Sequence, residues 1–458
     1  MTSIRNRRQL VQKSKTADTR KARELALESL ENSLDAVNPQ KLLKSQVFIK
    51  DSVLNAGEYR FDLSGVGNVY VVGGGKAAGA MTAALEEILG TRIKEGVVNV
   101  PVFDRTKTRI VKTQKASHPI PNEAGVDGAR RMITIAENAG RGDLVIMLVS
   151  GGGSSLMPLP RNHVTLEDKQ NITELLLKSG ARIYEINAVR KHISDFKGGW
   201  LAKKAYPAAI LNLILSDVVG DNLEAIASGP TVPDSTTFSD ARRVLEKYCL
   251  WQNAPISVRK LLSAGEKGIV AETPKSDDPA FRRVHSFVLG NCRSAAAAAC
   301  RHLRTSGLNT LLLITTLEGE ARYLGEMFGA LANSIGSIGE PIPKPAAIVA
   351  AGETTVTVTG RGLGGRNQEL VLGAAMKLNK IEGIVVASFS TDGIDGPTEA
   401  AGAIADTKTY SRAAELGLEP QRFLDQNDSY HFFTKLEDLI ITGPTGTNVN
   451  DISVIIVL

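Results

Sequence analysis

Cysteine is nearly absent from the 458 residues: Cys249, Cys292 and Cys300 form no C-x-x-C pair and no ladder of spacings. An odd, sparse set excludes a disulfide framework and fits a reducing compartment. Long apolar runs are missing too. The longest, Leu144–Val149 (LVIMLV), has the length of a strand, far short of the roughly 20 residues a membrane span needs. No charged n-region, apolar h-region and cleavage site open the chain, so secretion is not expected and a cytoplasmic location is. Net charge is small: 54 Lys and Arg against 49 Asp and Glu leave +5, too little to argue for nucleic acid. Much of that excess lies between Arg5 and Arg23, where eight basic residues face one acid, Asp18. Residues 1–21 therefore read as a solvated basic tail leading into a helix. There is no H-E-x-x-H, no Cys/His zinc spacing, no nucleophile–base pattern and no repeat of 20–50 residues.

What is present is an alternation. Leu25, Leu27, Leu30, Leu34 and Val37 recur at helical spacing, which predicts an opening helix over Ala22–Leu43. Short apolar runs then alternate with Ala/Leu/Glu-rich stretches: Val69–Val72, Val97–Val100, Leu144–Val149, Ala208–Leu215, Thr310–Ile314, Ala346–Ala351 and Gly383–Phe389. Unbroken apolar strands separated by helices imply a parallel sheet covered on both faces, so the expected fold class is α/β. The polar, weakly patterned stretch near Gly265–Arg283 suggests a domain boundary, and Gly336–Pro345 a second connector. The expected domains are 22–265 and 285–458, joined by 266–284.

Glycine carries the functional signal. Of 43 glycines, 22 fall in eight short loops, several directly after predicted strands. Ligands of open parallel sheets bind at the carboxyl ends of strands, and glycines there let backbone N–H groups approach an anion. Gly73, Gly74 and Gly75 precede Lys76 at a helix start, where a lysine makes sense if an anion sits there too. The spacing is G-x-G-x-x-x-G, neither a dinucleotide fingerprint nor a P-loop. Ser150, Gly151, Gly152, Gly153 and Ser154 offer consecutive donors and hydroxyls for phosphate or carboxylate. Asn187, Arg190 and Lys197 lie in a basic helix-to-loop passage, either a solvated face or an anion-lined pocket; His192 within it reads as a packed or surface histidine. Asp217 and Asp221 follow a strand and suit Mg²⁺, though either could cap a helix. Gly352 and Glu353 end a strand, a Thr/Val strand follows, and Gly364 and Gly365 feed a helix opening with Arg366 and Asn367; the guanidinium there can bind phosphate oxygens bidentately. Asp392 and Asp395 again place carboxylates beyond a strand. One Lys, one Arg, several carboxylates and many backbone donors suit phosphoryl transfer, which is mostly positioning and charge neutralisation.

The ordered set VVGGGKAAGAM, SGGGSSL, NAVRKHISDFKGGWLA, LSDVVGD with ASGPTVPD, GETTVTVTGRGLGGRNQE, STDGIDGPTEAAGAIAD and TGPTGTNVNDI resembles the glycerate 2-kinases of the MOFRL type, often mislabelled hydroxypyruvate reductases. The resemblance runs from about Ala22 to Leu458. It implies an N-terminal Rossmann-like domain with helices on both faces of its sheet, and a C-terminal α/β domain containing the MOFRL region at about 345–455. It implies transfer of the ATP γ-phosphoryl group to the 2-hydroxyl of D-glycerate with a divalent metal, and a monomer or homodimer that engages no nucleic acid or membrane. The family's catalytic lysine and arginine fall on Lys76 and Arg366. Asp217 is the expected proton acceptor or metal ligand, with Asp221 and Asp392 as further metal ligands. Asn222 stands where an acid is common, and Cys292 where a second Asn is expected. An NAD(P)-dependent hydroxypyruvate reductase is the alternative, resting on the first strand–glycine–helix turn alone; a non-catalytic sugar-phosphate or nucleotide sensor is a third reading.

Overall fold

The computed structural model describes residues 4–161 and 163–458. Its contacts divide it into two compact units. Residues up to Asn38 join Gly290–Leu458, and Pro39–Leu289 form the other. These limits differ from the expected ones at both ends. The opening helix stops at Ala36, and Pro39 begins a second helix, Pro39–Gln46. Proline lacks the N–H that a continuous helix needs but fits a first turn. The helix Ala17–Ala36 packs on Cys292–Thr305 and on the strands Ile384–Ser390 and Asp451–Val457. The N-terminal segment is therefore not a solvated tail: Arg7–Gln12 is helical with Leu10 buried, and Arg7 pairs with Glu31 at 3.0 Å. Nor is 266–284 a free connector, since Thr273 and Ala280 are buried and Pro279–Arg283 forms a 3-10 turn inside its unit.

In the Pro39–Leu289 unit, five strands lie side by side in the order Lys112–Ala116, Ile93–Pro101, Val69–Gly74, Leu144–Val149 and Ala209–Leu215, all parallel. Val284–Gly290 completes the sheet. The central LVIMLV strand is buried throughout, as an all-apolar strand must be. Val72, Val145 and Met147 meet Met132 and Ile133 of the helix Glu123–Glu137 in one core. A helical cluster around Ile172, Leu176, Val189, Phe238 and Leu262 forms another. An antiparallel meander of Val47–Lys50, Val53–Ala56 and Tyr59–Asp62, absent from the expected elements, precedes this sheet. Its first turn carries positive φ at both Asp51 and Ser52, as tight hairpins require.

The second unit also has six strands, ordered Asn309–Leu317, Ala346–Gly352, Asp451–Val457, Ile384–Ser390, Gly402–Asp406 and Leu439–Ile440. Only the first pair is parallel; the C-terminal strand inserts antiparallel between Ala346–Gly352 and Ile384–Ser390. The sheet is thus mixed. The expected strand over Thr354–Thr359 does not form: one isolated bridge joins Thr355 to Glu320, and the Thr357 N–H is taken by the Glu320 carboxylate. Among the described residues no helix is long and apolar enough to cross a membrane.

Candidate active site

Three neighbouring parallel strands, Val69–Gly74, Leu144–Val149 and Ala209–Leu215, bring three loops to one edge of the sheet. The first two loops are stitched together. Lys76 N–H donates to Gly151 O at 2.8 Å, Ala77 N–H to Ser150 Oγ at 2.9 Å, and Gly75 N–H to Asn99 O at 3.2 Å. The glycines allow this closeness: a Cβ on Gly75 would lie 2.1 Å from Ser150 Oγ, and one on Gly73 2.0 Å from Leu148 O. Gly74 closes the strand between them. These N–H groups are therefore spent on structure. Among the described residues, those of Gly151, Gly152 and Ser154 make no such bond. Gly152 has φ +82, and a Cβ there would meet the His118 ring at 2.8 Å and Lys76 Cγ at 3.5 Å. Lys76 and His118 therefore flank the glycine turn, and His118 is a neighbour that sequence reading missed.

Behind Gly153, which opens the short helix Gly153–Leu156, the polar residues form a chain. Ser154 Oγ lies 3.0 Å from Ser228 Oγ, which donates to Asn187 Oδ1 at 3.1 Å. Buried Lys197 donates from Nζ to Ser154 O at 2.9 Å and Ala227 O at 3.3 Å. Burial, with repulsion from Lys169 and Arg190, pulls the Lys197 pKa well below its ordinary value. Burial lowers Arg190 as well. Lys169, on the helix Leu166–Lys178, is buried, and its Nζ has no partner among the described residues. Burial and then the Arg190 charge push it down to about 7, with Asp195 pulling the other way. Two buried lysines and the half-buried Arg190 repel one another, an arrangement that an anion would relieve. Lys169 was invisible in sequence because it sits in an ordinary amphipathic helix. Of the two settings expected for His192, packed or surface, the structure has the packed one: buried, it contacts Ala188 O at 2.7 Å and Glu272 Oε1 at 2.8 Å. Asp217 lies two residues beyond Leu215, half-buried, and Asp221 ends the 3-10 turn Val219–Asp221 with φ +55.

The other unit gathers a separate set. Gly352 and Ser390 both register against Asp451 across the sheet. Arg366, opening the helix Arg366–Lys377, reaches Asp451 bidentately at 2.5 and 3.0 Å and Glu353 at 2.9 Å. Burial opposes its charge, but Asp451 and Glu353 outweigh burial and hold the guanidinium above its ordinary pKa. Buried Asp395 accepts from the Asn367 and Gln368 N–H groups at 3.1 and 2.9 Å, capping that helix. Burial and the Asp451 charge raise its pKa to about 6 against those bonds. Asn367 is turned inward: its Nδ2 donates to Asp395 and its Oδ1 accepts from Ser388. Asp392 accepts from Ser390 Oγ and Ile394 N–H.

The glycine loop of this unit differs from the expected anion cradle. Thr359 and Gly360 N–H donate to Asn427 Oδ1, Gly362 to Gln426 O, and Leu363 to Asp428 Oδ1. A Cβ on Gly364 would lie 2.3 Å from Ser429 Oγ, and one on Gly365 2.3 Å from Asp395 Cγ. Close packing already requires these glycines. Of the expected metal ligands, Asp217 and Asp221 belong to one unit and Asp392 to the other. Among the described residues no three His, Cys, Asp or Glu gather so as to hold a metal.

Fold and side chains together define an α/β protein with glycine turns at the carboxyl ends of parallel strands and a cluster of closely spaced cations beside them. Residues 25–263 match the family model described as a domain of unknown function (DUF4147), and 346–451 match the MOFRL family. The glycerate 2-kinase of Pyrococcus horikoshii is 43% identical, covering 95% of this chain and 97% of that one. The D-glycerate 2-kinase of Thermotoga maritima is 40% identical, at 95% and 98%. A crystal structure of glycerate kinase from Thermotoga maritima superposes with a TM-score of 0.83 at 39% identity, over 95% of this chain and 99% of that chain. The chain belongs to the MOFRL-type glycerate 2-kinase family.

Proposed function

We propose that this chain transfers the γ-phosphoryl group of ATP to the 2-hydroxyl of D-glycerate, giving 2-phospho-D-glycerate and ADP. The observation that carries the reading is a group of mutually repelling cations behind the Lys76 loop, buried Lys169 and Lys197 with half-buried Arg190, against which only Asp195 pulls. Both substrates are anionic, so either supplies the missing charge. Glycerate's carboxylate is assigned to the trio and the Ser154–Ser228–Asn187 chain. The triphosphate is assigned to the unspent N–H groups of Gly151, Gly152 and Ser154, with Lys76 beside them. In the transfer, the 2-hydroxyl oxygen bonds to the γ-phosphorus, the bond to the β,γ-bridging oxygen breaks, and the hydroxyl proton passes to a carboxylate, for which Asp217 is the candidate.

Asp451 and Glu353 already fix the Arg366 fork, so binding a phosphoryl oxygen there would cost it little freedom. A divalent ion fits Asp217 and Asp221 as hard oxygen donors, with Asp392 a further candidate. Mg²⁺ commonly takes only one or two carboxylates and completes its shell with phosphate oxygens and water. When bound it would neutralise charge on the phosphate chain.

The test is purified protein with Mg²⁺, ATP and D-glycerate, the products resolved by phosphorus NMR. A phosphomonoester coupled to the C2 proton is expected. A 3-phosphate, or no ATP consumption, overturns the proposal. Lys76→Ala and Arg366→Ala should each lower kcat by at least ~100-fold if they stabilise the transition state; a fall below about tenfold with an intact fold removes the residue from that role.

A further inference from the structure

The loop that follows Leu215 carries Asp217, Asp221 and Ser228 on an uncommon backbone. Its φ is positive at Gly220 (+78), Asp221 (+55), Ala227 (+50), Ser228 (+61) and Gly229 (+62). Ala227 and Ser228 lack both the freedom of glycine and the side chains that ease Asn and Asp into the left-handed region. Such backbone persists only where its surroundings over-determine it.

One helix supplies much of that constraint. Asn187 and Lys191 lie one turn apart on Ile183–His192, hence on one face. Asn187 Oδ1 accepts from Ser228 Oγ at 3.1 Å. Lys191 is 3% exposed, and its Nζ donates to Glu224 Oε2 at 3.1 Å and to Asp234 Oδ1 at 3.2 Å. Asp234 is buried and also accepts from the Thr236 N–H and hydroxyl, at 3.0 and 2.8 Å, so Lys191 stands on a fixed base. Glu224 accepts a second bond from Ser235 Oγ at 2.9 Å. The far end of the loop is held through its backbone: Gly198 N–H donates to Ser228 O at 3.0 Å and Gly199 N–H to Gly229 O at 2.7 Å. Among the described residues, the backbone of residues 222–226 bonds only within the loop. The Glu224 side chain is therefore what ties this middle stretch to the helix. We propose that Lys191 and Glu224 are a positioning pair, whose ion pair holds residues 220–228 in the left-handed backbone that presents Ser228 to D-glycerate. The role rests on the kinase reading above, and neither side chain touches the substrate in it.

Glu224→Ala is the variant to make. Its side chain is 37% exposed, and Lys191 keeps Asp234, so no buried charge is stranded. In the full chain it should raise the KM for D-glycerate at least about fivefold and leave the KM for ATP within about twofold, a split that general destabilisation does not produce. Amides of residues 222–228 should exchange at least about tenfold faster, with Leu144–Val149 unchanged. Glu224→Gln keeps an acceptor for Lys191 Nζ and should bring both readouts back to within about twofold of the parent. Glu224→Asp, which keeps the charge and shortens the arm, takes the place of Glu224→Ala if that chain does not melt like the parent. An unchanged KM for D-glycerate, or unchanged loop exchange, in a folded variant overturns the proposal. So does an equal rise in the KM for ATP, or faster exchange across Leu144–Val149, either of which would mean general loosening. A parent that does not phosphorylate D-glycerate defeats the kinase reading instead, and the exchange contrast then still decides whether the pair holds the loop.

Discussion

Glu272 accepts from Phe238 N–H at 3.0 Å and Thr273 N–H at 2.8 Å, and lies 2.8 Å from His192 Nε2. Burial alone would raise its pKa, but the His192 contact and the backbone donors bring it down to about 2. A carboxylate held below its ordinary value stabilises the fold above that value and loses the contribution as pH falls through about 2. Glu272→Gln should therefore lower stability at pH 7 and make little difference at pH 2, as read by urea denaturation at both. An equal loss at both values would mean that packing, not charge, sets the effect. At this scale much was legible. Lys76, Arg190, Lys197 and Arg366 announce themselves by type and by neighbouring glycines. Lys169 does not, because what distinguishes it is burial by residues distant in sequence; Asp395 was legible as a carboxylate beyond a strand but not as the buried cap of the helix Arg366–Lys377. The inward turn of Asn367 was illegible for the same reason, its partners being Asp395 and Ser388.

Among the elements, the parallel strands were readable because each must be apolar throughout, and LVIMLV has no other stable home. The mixed order of the second sheet was not, since Asp451–Val457 looks the same whichever way its neighbours run. Glycine-rich turns were legible as turns, though not by purpose. Around Gly73 the backbone approaches a neighbouring strand; around Gly360–Gly365 it approaches residues 426–429 and Asp395. Gly73→Ala places a methyl 2.0 Å from Leu148 O at φ +144, and should cost at least ~2 kcal/mol. Gly446→Ala, whose Cβ meets nothing within 4 Å at φ +77, carries only the backbone strain, about 1 kcal/mol. Calorimetric melting of the pair separates crowding from conformation; equal losses would discount the close approach.

At the scale of the whole molecule, the units are not consecutive in the chain, which composition could not reveal. Charge was the available hint, since Arg23 closes the basic run that starts at Arg5 and whose first part, to residue 21, reads as a tail. It is instead fully buried between Asp406 and Asp438, at 2.6 and 2.9 Å, with Arg412 on the far side of Asp438 at 2.6 Å. Arg23→Met leaves two buried carboxylates short of a cation and should destabilise this unit by about 3–5 kcal/mol. Hydrogen exchange of Ile384–Ser390 and Asp451–Val457 would report it, and unchanged protection there would discount the pairing.

This connectivity also sets a timetable for synthesis. The helix Ala17–Ala36 leaves the ribosome about 370 residues ahead of Asp406, which it must meet. At roughly 5–20 residues per second that is a wait of about 20–70 s. During that interval Pro39–Leu289 can complete its own sheet, while the apolar face of the first long helix has no partner to cover it. One unit is thus free to fold as it is made. The other must close after nearly the whole chain has emerged, around a helix made at the start.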